Sequence, residues 1–146
     1  SVLGVQQVPQ SQVSRYGIVA PHKVKPNVWQ AVDLVEKPEA EKAPSRLAVL
    51  GRYVLTPAIF DILEHTKPGA GEEIQLTDAI CELARKEKVY AYRFEGRRYD
   101  IGDKEGFLEA TVEQALKRPE IRDDFMAYLV QRIGPLLRQK MEEDAE

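Results

Sequence analysis

The chain has 146 residues, 43% of them apolar and 31% charged, with a formal net charge of −3. That length suits one domain or one half of a larger one, the charge balance lacks the basic excess of a nucleic-acid footprint, and no apolar run approaches the ~20 residues of a membrane helix. The single cysteine, Cys81, has no partner for an internal disulfide, which fits a reducing compartment, the cytoplasm.

Ser1 leads at once into the alternation Val2-Leu3-Gly4-Val5 without a polar lead-in, which reads as a cut from something longer. Ser1 to Val8 is expected to be a strand and Pro9-Gln10-Ser11-Gln12 a polar break. Tyr16 to Val19 is a second short strand, and Pro21 to Asn27, with two prolines, is a loop that could form the long tip of a hairpin. Trp29 to Lys37 is the central strand, ended by Pro38. Pro38 to Arg46 is a charged linker. Leu47 to Leu55 is nearly continuous in apolar residues, which suits a strand buried on both faces. Thr56-Pro57 signals a helix start, with Thr56 as cap and Ile59, Phe60, Ile62 and Leu63 as the apolar face.

Lys67 to Gly71 is a loop. Gln75-Leu76-Thr77-Asp78 leads into an amphipathic helix through Ala79, Ile80, Leu83 and Ala84, where Cys81 reads as a small buried hydrophobe. Val89 to Phe94 alternates as a strand and Glu95 to Arg98 turns. Asp103 is a good cap for a helix with Phe107, Leu108, Ala110, Thr111, Ala115 and Leu116 near its core side. Pro119 separates it from a last helix, about residues 123–137, with the stripe Phe125, Leu129, Ile133 and Leu136, which Gly134-Pro135 should kink or interrupt. Met141 onward is an acidic tail expected to fray. Mixed strands followed by helices make an α/β or α+β piece.

Chemistry gathers in four polar groupings beside apolar strands: Arg15-Tyr16-Gly17, Glu36-Lys37, Gln75-Thr77-Asp78 and Asp100-Gly102-Asp103. Singly each has a plain explanation: a bend at Gly17, a solvated strand end at Glu36-Lys37, helix caps at Thr77-Asp78 and Asp103, a turn acid at Asp100. Together they form a kit. A lysine binds phosphate as a point charge, a glutamate accepts from sugar hydroxyls, a glycine lets a ligand approach the main chain, and an aspartate is a hard-cation ligand. Successive strand residues point to opposite faces, so Glu36 and Lys37 serve one ligand only if the strand twists or ends there. The chain carries no Walker phosphate loop, no zinc-spaced Cys/His pair and no nucleophile-elbow serine. His22 and His65 lie in polar segments and read as surface residues.

The blocks Ser14-Arg15-Tyr16-Gly17-Ile18-Val19, Val32 to Pro38, Ala43 to Leu55, Pro68 to Ile80 and Tyr99 to Lys104 resemble, in order, the bacterial UTP–glucose-1-phosphate uridylyltransferases, the UDP-glucose pyrophosphorylases. The Glu-Lys-Pro block is shared with other sugar-phosphate nucleotidyltransferases, whereas Glu73-Ile74-Gln75-Leu76-Thr77-Asp78-Ala79-Ile80 favours the glucose/UTP branch. The resemblance runs from Ser1 to about Leu129 and implies the C-terminal half of a Rossmann-like nucleotide-diphospho-sugar transferase fold, residues 1–138, with 139–146 as an acidic tail. The family's first half carries a glycine-rich nucleotide loop and a magnesium-holding aspartate that nothing here matches.

Carried over by the resemblance, Tyr16 and Gly17 would line the sugar pocket, Glu36 would hold glucose hydroxyls, Lys37 would contact the sugar phosphate, Gly51 would lie beside the sugar, and Asp100 would be a ligand of Mg2+. Thr77 and Asp78 carry over less directly, since capping explains them. Ala20 stands where the family often has an acid, and the 21–28 loop is short. The implied partners are glucose 1-phosphate, UTP and UDP-glucose, with homo-oligomer formation and neither nucleic acid nor membrane. A half of such an enzyme is expected to be inactive alone and to self-associate through unpaired strand edges. Two alternatives stay open: a related sugar-1-phosphate nucleotidyltransferase, and a non-catalytic sugar-phosphate-binding or assembly module.

Overall fold

The computed structural model describes residues 1–69 and 72–144, so the end of the expected 67–71 loop lies outside the described residues. The chain forms two compact units, Ser1–Glu95 and Gly96–Glu146.

The first unit is a mixed α/β body. Its strands are β1 (Val2–Gln7), β2 (Gly17–Lys25), β3 (Val28–Glu36), β4 (Leu47–Val54) and β5 (Tyr90–Arg93), and its helices are α1 (Ala58–Leu63) and α2 (Leu76–Lys86). The strands pair in the order β1-β4-β2-β3-β5, and β5 returns to β1 in parallel to close the ring. The other pairings are antiparallel, and β2 pairs with β4 at Ile18 and Ala48. β1, with β4 on one side and β5 on the other, has no free edge, whereas β2 beyond Ile18 is paired on one side.

The ring is filled by Leu3, Val5, Val19, Leu34 and Val89, onto which α2 lays Ala79, Ile80 and Leu83. The spacing of those three residues puts them on one face of a helix, which is why the segment folds as one and why it docks on the sheet. A smaller cluster of Val13, Ile18 and Ala48 anchors the 3-10 turn Gln10–Arg15, so the polar break after Pro9 is an ordered turn.

Several expectations change. Pro21 to Asn27 is not a long loop: β2 continues to Lys25 and the hairpin tip is Pro26-Asn27. Beyond Ile18 this strand pairs with β3 alone, and an edge position tolerates a residue without an N–H. Two bulges absorb the mismatch, leaving Val32 (55% exposed) and Val24 (52%) turned out to solvent. β4 is not buried on both faces throughout. Leu47, Ala48 and Val49 are buried, but a bulge at Gly51, where φ is +71°, carries Gly51 to Val54 outward. Thr56 does not cap α1, because its hydroxyl donates to Glu87 at 2.8 Å. Phe60, expected on the apolar face of α1, is exposed while Ile59 and Ile62 are buried. Cys81 is half-buried, at the margin of the α2 apolar face, and its thiol donates to Asp33 Oδ1 at 2.8 Å. Burial first, and then that bond, push the thiol pKa up.

The second unit is helical: α3 (Lys104–Leu116) and α4 (Pro119–Glu143). Asp103 caps α3 as expected, Oδ2 accepting from the amides of Glu105 and Gly106 at 3.1 Å each. Pro119 occupies the first turn of α4, where its missing N–H is of no consequence. Helix α4 continues through Pro135 to Glu143, so the proline does not interrupt it and Met141 to Glu143 is helical, not a frayed tail. One lost donor inside a 25-residue helix leaves hydrogen-bonded turns on both sides of it. The expected inner face of α3 is not enclosed: Phe107 and Leu108 are exposed, and among the described residues of α3 and α4 none is buried. Two helices alone cannot enclose an apolar stripe from all sides.

The turn before α3 is tied down by charge. Arg97 pairs with Glu109 and Glu113, the Tyr99 hydroxyl donates to Glu113, and the Arg97 guanidinium lies 5.2 Å from the Tyr99 ring centroid.

Two measurements test this description. Leu83→Ala leaves a cavity beneath α2 and should cost about 3 kcal/mol in urea unfolding. The Tyr99 hydroxyl, and then Arg97, hold the Glu113 carboxyl below its ordinary range. A carboxyl with a depressed folded pKa contributes stability above its unfolded value and loses it as pH falls through the folded one. Glu113→Gln should therefore lower helical stability at neutral pH and flatten its decline in acid, followed by circular dichroism.

Candidate functional site

The C-terminal end of β3 is where the polar residues converge. The strand ends at Glu36, and Lys37 follows with a φ of +43°, a left-handed conformation unusual for a residue with a side chain. Such backbone is retained where the surroundings hold it, and here the Lys37 amide donates to the Tyr16 carbonyl at 3.1 Å. The turn breaks the alternation of a strand. Both side chains come to the same side, with Lys37 Nζ 3.9 Å from Glu36 Oε1. At that separation, with Lys37 62% exposed and Glu36 18%, the pair contributes little to stability, and the ammonium remains available to an anion.

β2 brings Gly17 directly opposite Glu36 in register. A Cβ at position 17 would lie 3.0 Å from Glu36 Oε2 and 3.1 Å from Thr77 Oγ1, so the glycine makes room for the other two side chains. Thr77, in the first turn of α2, donates its hydroxyl to Glu36 Oε2 at 2.5 Å. The N-cap of α2 is Gln75, so the expected capping role of Thr77 is replaced by this bond. The Asp78 carboxylate lies against Gly69, where a Cβ would come within 2.6 Å of Oδ2. Tyr53, on the outward half of β4, feels the Glu36 charge: burial first, and then that carboxylate, push its phenol pKa up.

Tyr16, Gly17, Glu36 and Lys37, all singled out in the sequence, are thus brought together. Gly51 is not part of this hydrogen-bonded group among the described residues; it sits in the β4 bulge with open space where a Cβ would be. Asp100 belongs to the second unit. Thr77 and Tyr53 are the contributors that sequence reasoning undervalued or missed. Thr77 stands in a helix-start pattern that capping alone explains, and Tyr53 lies in a run that reads only as buried strand.

Asp100 lies in the turn ahead of α3. Its carboxylate is half-exposed, Oδ2 pairs with Arg98 at 3.2 Å, and Oδ1 accepts from the Gly102 amide at 3.3 Å. Among the described residues no group of three or more His, Cys, Asp or Glu is placed to hold a metal. Asp100 by itself is therefore not a metal site: a hard cation would need further oxygen ligands beside it, such as a second carboxylate and substrate phosphates. Among the described residues no helix is long and apolar enough to cross a membrane.

The family model described as nucleotidyl transferase matches residues 3–116, and the chain belongs to that family. It is 53% identical over 131 residues to a Staphylococcus epidermidis protein named UTP–glucose-1-phosphate uridylyltransferase, covering 90% of this chain and 46% of that relative. Among solved structures it is similar to a UDP-glucose pyrophosphorylase complexed with UDP-glucose (45% identity, TM-score 0.77, 80% of this chain and 44% of the other). It is also similar to the UTP-bound UGPase from Acinetobacter baumannii (37% identity, TM-score 0.78, 90% and 45%). The chain spans about half the length of the curated relatives it matches.

The left-handed turn at Lys37 is open to test. Glycine adopts that conformation freely but loses more entropy on folding. Lys37→Gly should leave stability unchanged or raise it by up to about 1 kcal/mol in urea unfolding, although the ammonium is gone. A loss larger than that would make the Lys37 side chain a structural support of the fold.

Proposed function

We propose that the chain is the sugar-phosphate-binding, C-terminal half of a uridylyltransferase that joins glucose 1-phosphate to UTP, giving UDP-glucose and pyrophosphate. The observation that carries the reading is the turn at Lys37, which gathers a carboxylate and an ammonium on one side of a strand end, next to a glycine. The similarity to proteins named for that reaction supports the choice of sugar and nucleotide. On this reading residues 1–138 are one half of a Rossmann-like nucleotidyltransferase domain and 139–146 an acidic tail, and the enzyme works in the cytoplasm as a homo-oligomer.

In the reaction, a phosphate oxygen of glucose 1-phosphate attacks the α-phosphorus of UTP in line. The bond from that phosphorus to the bridging oxygen breaks, and pyrophosphate leaves. The protein's share is positioning and charge neutralisation. Lys37 holds the attacking phosphate as a point charge. Glu36 accepts hydrogen bonds from glucose hydroxyls and fixes the sugar. Tyr16 and Gly17 form the wall beside it, Gly17 giving the sugar access to main chain, and Gly51 is assigned to the same pocket. Asp100 would be one ligand of a magnesium ion, which would supply neutralisation of phosphate charge.

The test uses the relative's remaining length. In a chimaera the 146 residues replace the matching segment of the Staphylococcus epidermidis relative, and pyrophosphate release is followed with glucose 1-phosphate, UTP and magnesium. Turnover by the chimaera and none by the chain alone is expected. Lys37→Ala should cut chimaera turnover at least ~100-fold, the scale of losing a charged contact in the transition state, while its melting temperature holds. Parallel loss of stability and activity would remove the role given to Lys37.

A further inference from the structure

We infer that Thr77 is a positioning residue that orients Glu36 for the sugar; the inference rests on the sugar-binding reading of Glu36 above. The hydroxyl of Thr77 leaves its own helix to donate to Glu36 Oε2 at 2.5 Å, while the other oxygen, Oε1, faces Lys37 Nζ at 3.9 Å. One carboxylate oxygen is therefore held by the protein and the second is left to accept from a ligand.

The surroundings are built for this bond. Gly17 has no Cβ, and one there would lie 3.0 Å from Glu36 Oε2 and 3.1 Å from Thr77 Oγ1. A side chain at position 17 would press on both partners. The donor stands on a rigid support, since Ala79, Ile80 and Leu83 of α2 are buried on the sheet. A glutamate side chain has three rotatable bonds, and holding one oxygen removes much of that freedom before the ligand arrives. Thr77 thus acts on the sugar through Glu36, not by contact of its own.

A double-mutant cycle separates that role from an independent one. Glucose 1-phosphate is titrated calorimetrically into the unaltered chain and into Thr77→Val, Thr77→Ser, Glu36→Gln and the Thr77→Val/Glu36→Gln pair, each checked by thermal melting. A hydrogen bond to a charged group predicts about a tenfold weakening in Thr77→Val, near-native affinity in Thr77→Ser, and a pair no weaker than Glu36→Gln alone. In the chimaera Thr77→Val should raise KM for glucose 1-phosphate and leave KM for UTP unchanged. Additive losses, or native affinity in Thr77→Val, would overturn the inference. If the unaltered chain does not bind glucose 1-phosphate and Glu36→Gln changes nothing, the sugar-binding reading fails instead. The Thr77 hydroxyl proton then still decides, by NMR. Slow exchange that becomes fast in Glu36→Ala supports the positioning, and fast exchange in the unaltered chain refutes it.

Discussion

Helix α2 seated on the ring of strands is the contact from which the polar end of β3 takes its shape. Ile80 and Leu83 are buried on the same side of the helix, and their packing fixes where its first turn lies. That turn carries Thr77 to Glu36. A hydrophobic interface thereby sets the position of a carboxylate. Apolar packing is non-directional, but a close-packed interior converts it into placement to a fraction of an ångström. A loop would not give the same accuracy, because loops have fewer packed neighbours to hold them.

The second support is the backbone at Lys37. Ending β3 with a left-handed residue costs on the order of 1–2 kcal/mol, and the amide bond to Tyr16 offsets part of it. What the fold obtains is a pair of opposite charges on one face, which an unbroken strand would place on opposite faces. The entry to β2 serves both supports, since the carbonyl of Tyr16, just before the strand, accepts from the Lys37 amide and Gly17, its first residue, gives space to the Glu36–Thr77 pair.

Alternation and apolar runs made the strands and α2 legible, because burial on one face leaves a period in the sequence. The end of β3 was legible through Pro38, and the cap of α3 through Asp103. What was not legible depends on partners remote in sequence. Pro21 reads as a loop residue until its strand proves to be paired on one side only beyond Ile18. The run from Leu47 to Leu55 reads as doubly buried until the bulge at Gly51 turns its second half outward. Thr56 and Thr77 both look like caps, yet their hydroxyls go to Glu87 and Glu36. A hydroxyl's choice between its own helix and a carboxylate 31 or 41 residues away is made by tertiary structure. The group of Tyr16, Gly17, Glu36 and Lys37 came from the pattern of residues, whereas the conformation that unites them did not.

The β2–β3 hairpin has one further consequence. Its root is the pair Gly17 and Glu36, and its tip is Pro26-Asn27, with Asn27 at a φ of +60°. Eight or so residues of strand at about 3.3 Å each put root and tip about 26 Å apart. The hairpin works as a spacer between the polar cluster at its root and a tip tied to β5, where the Asn27 carbonyl accepts from the Arg93 amide at 2.9 Å. A change at Pro26-Asn27 would thus be felt first where β3 and β5 close the ring, and only through the length of the hairpin by the carboxylate at the root.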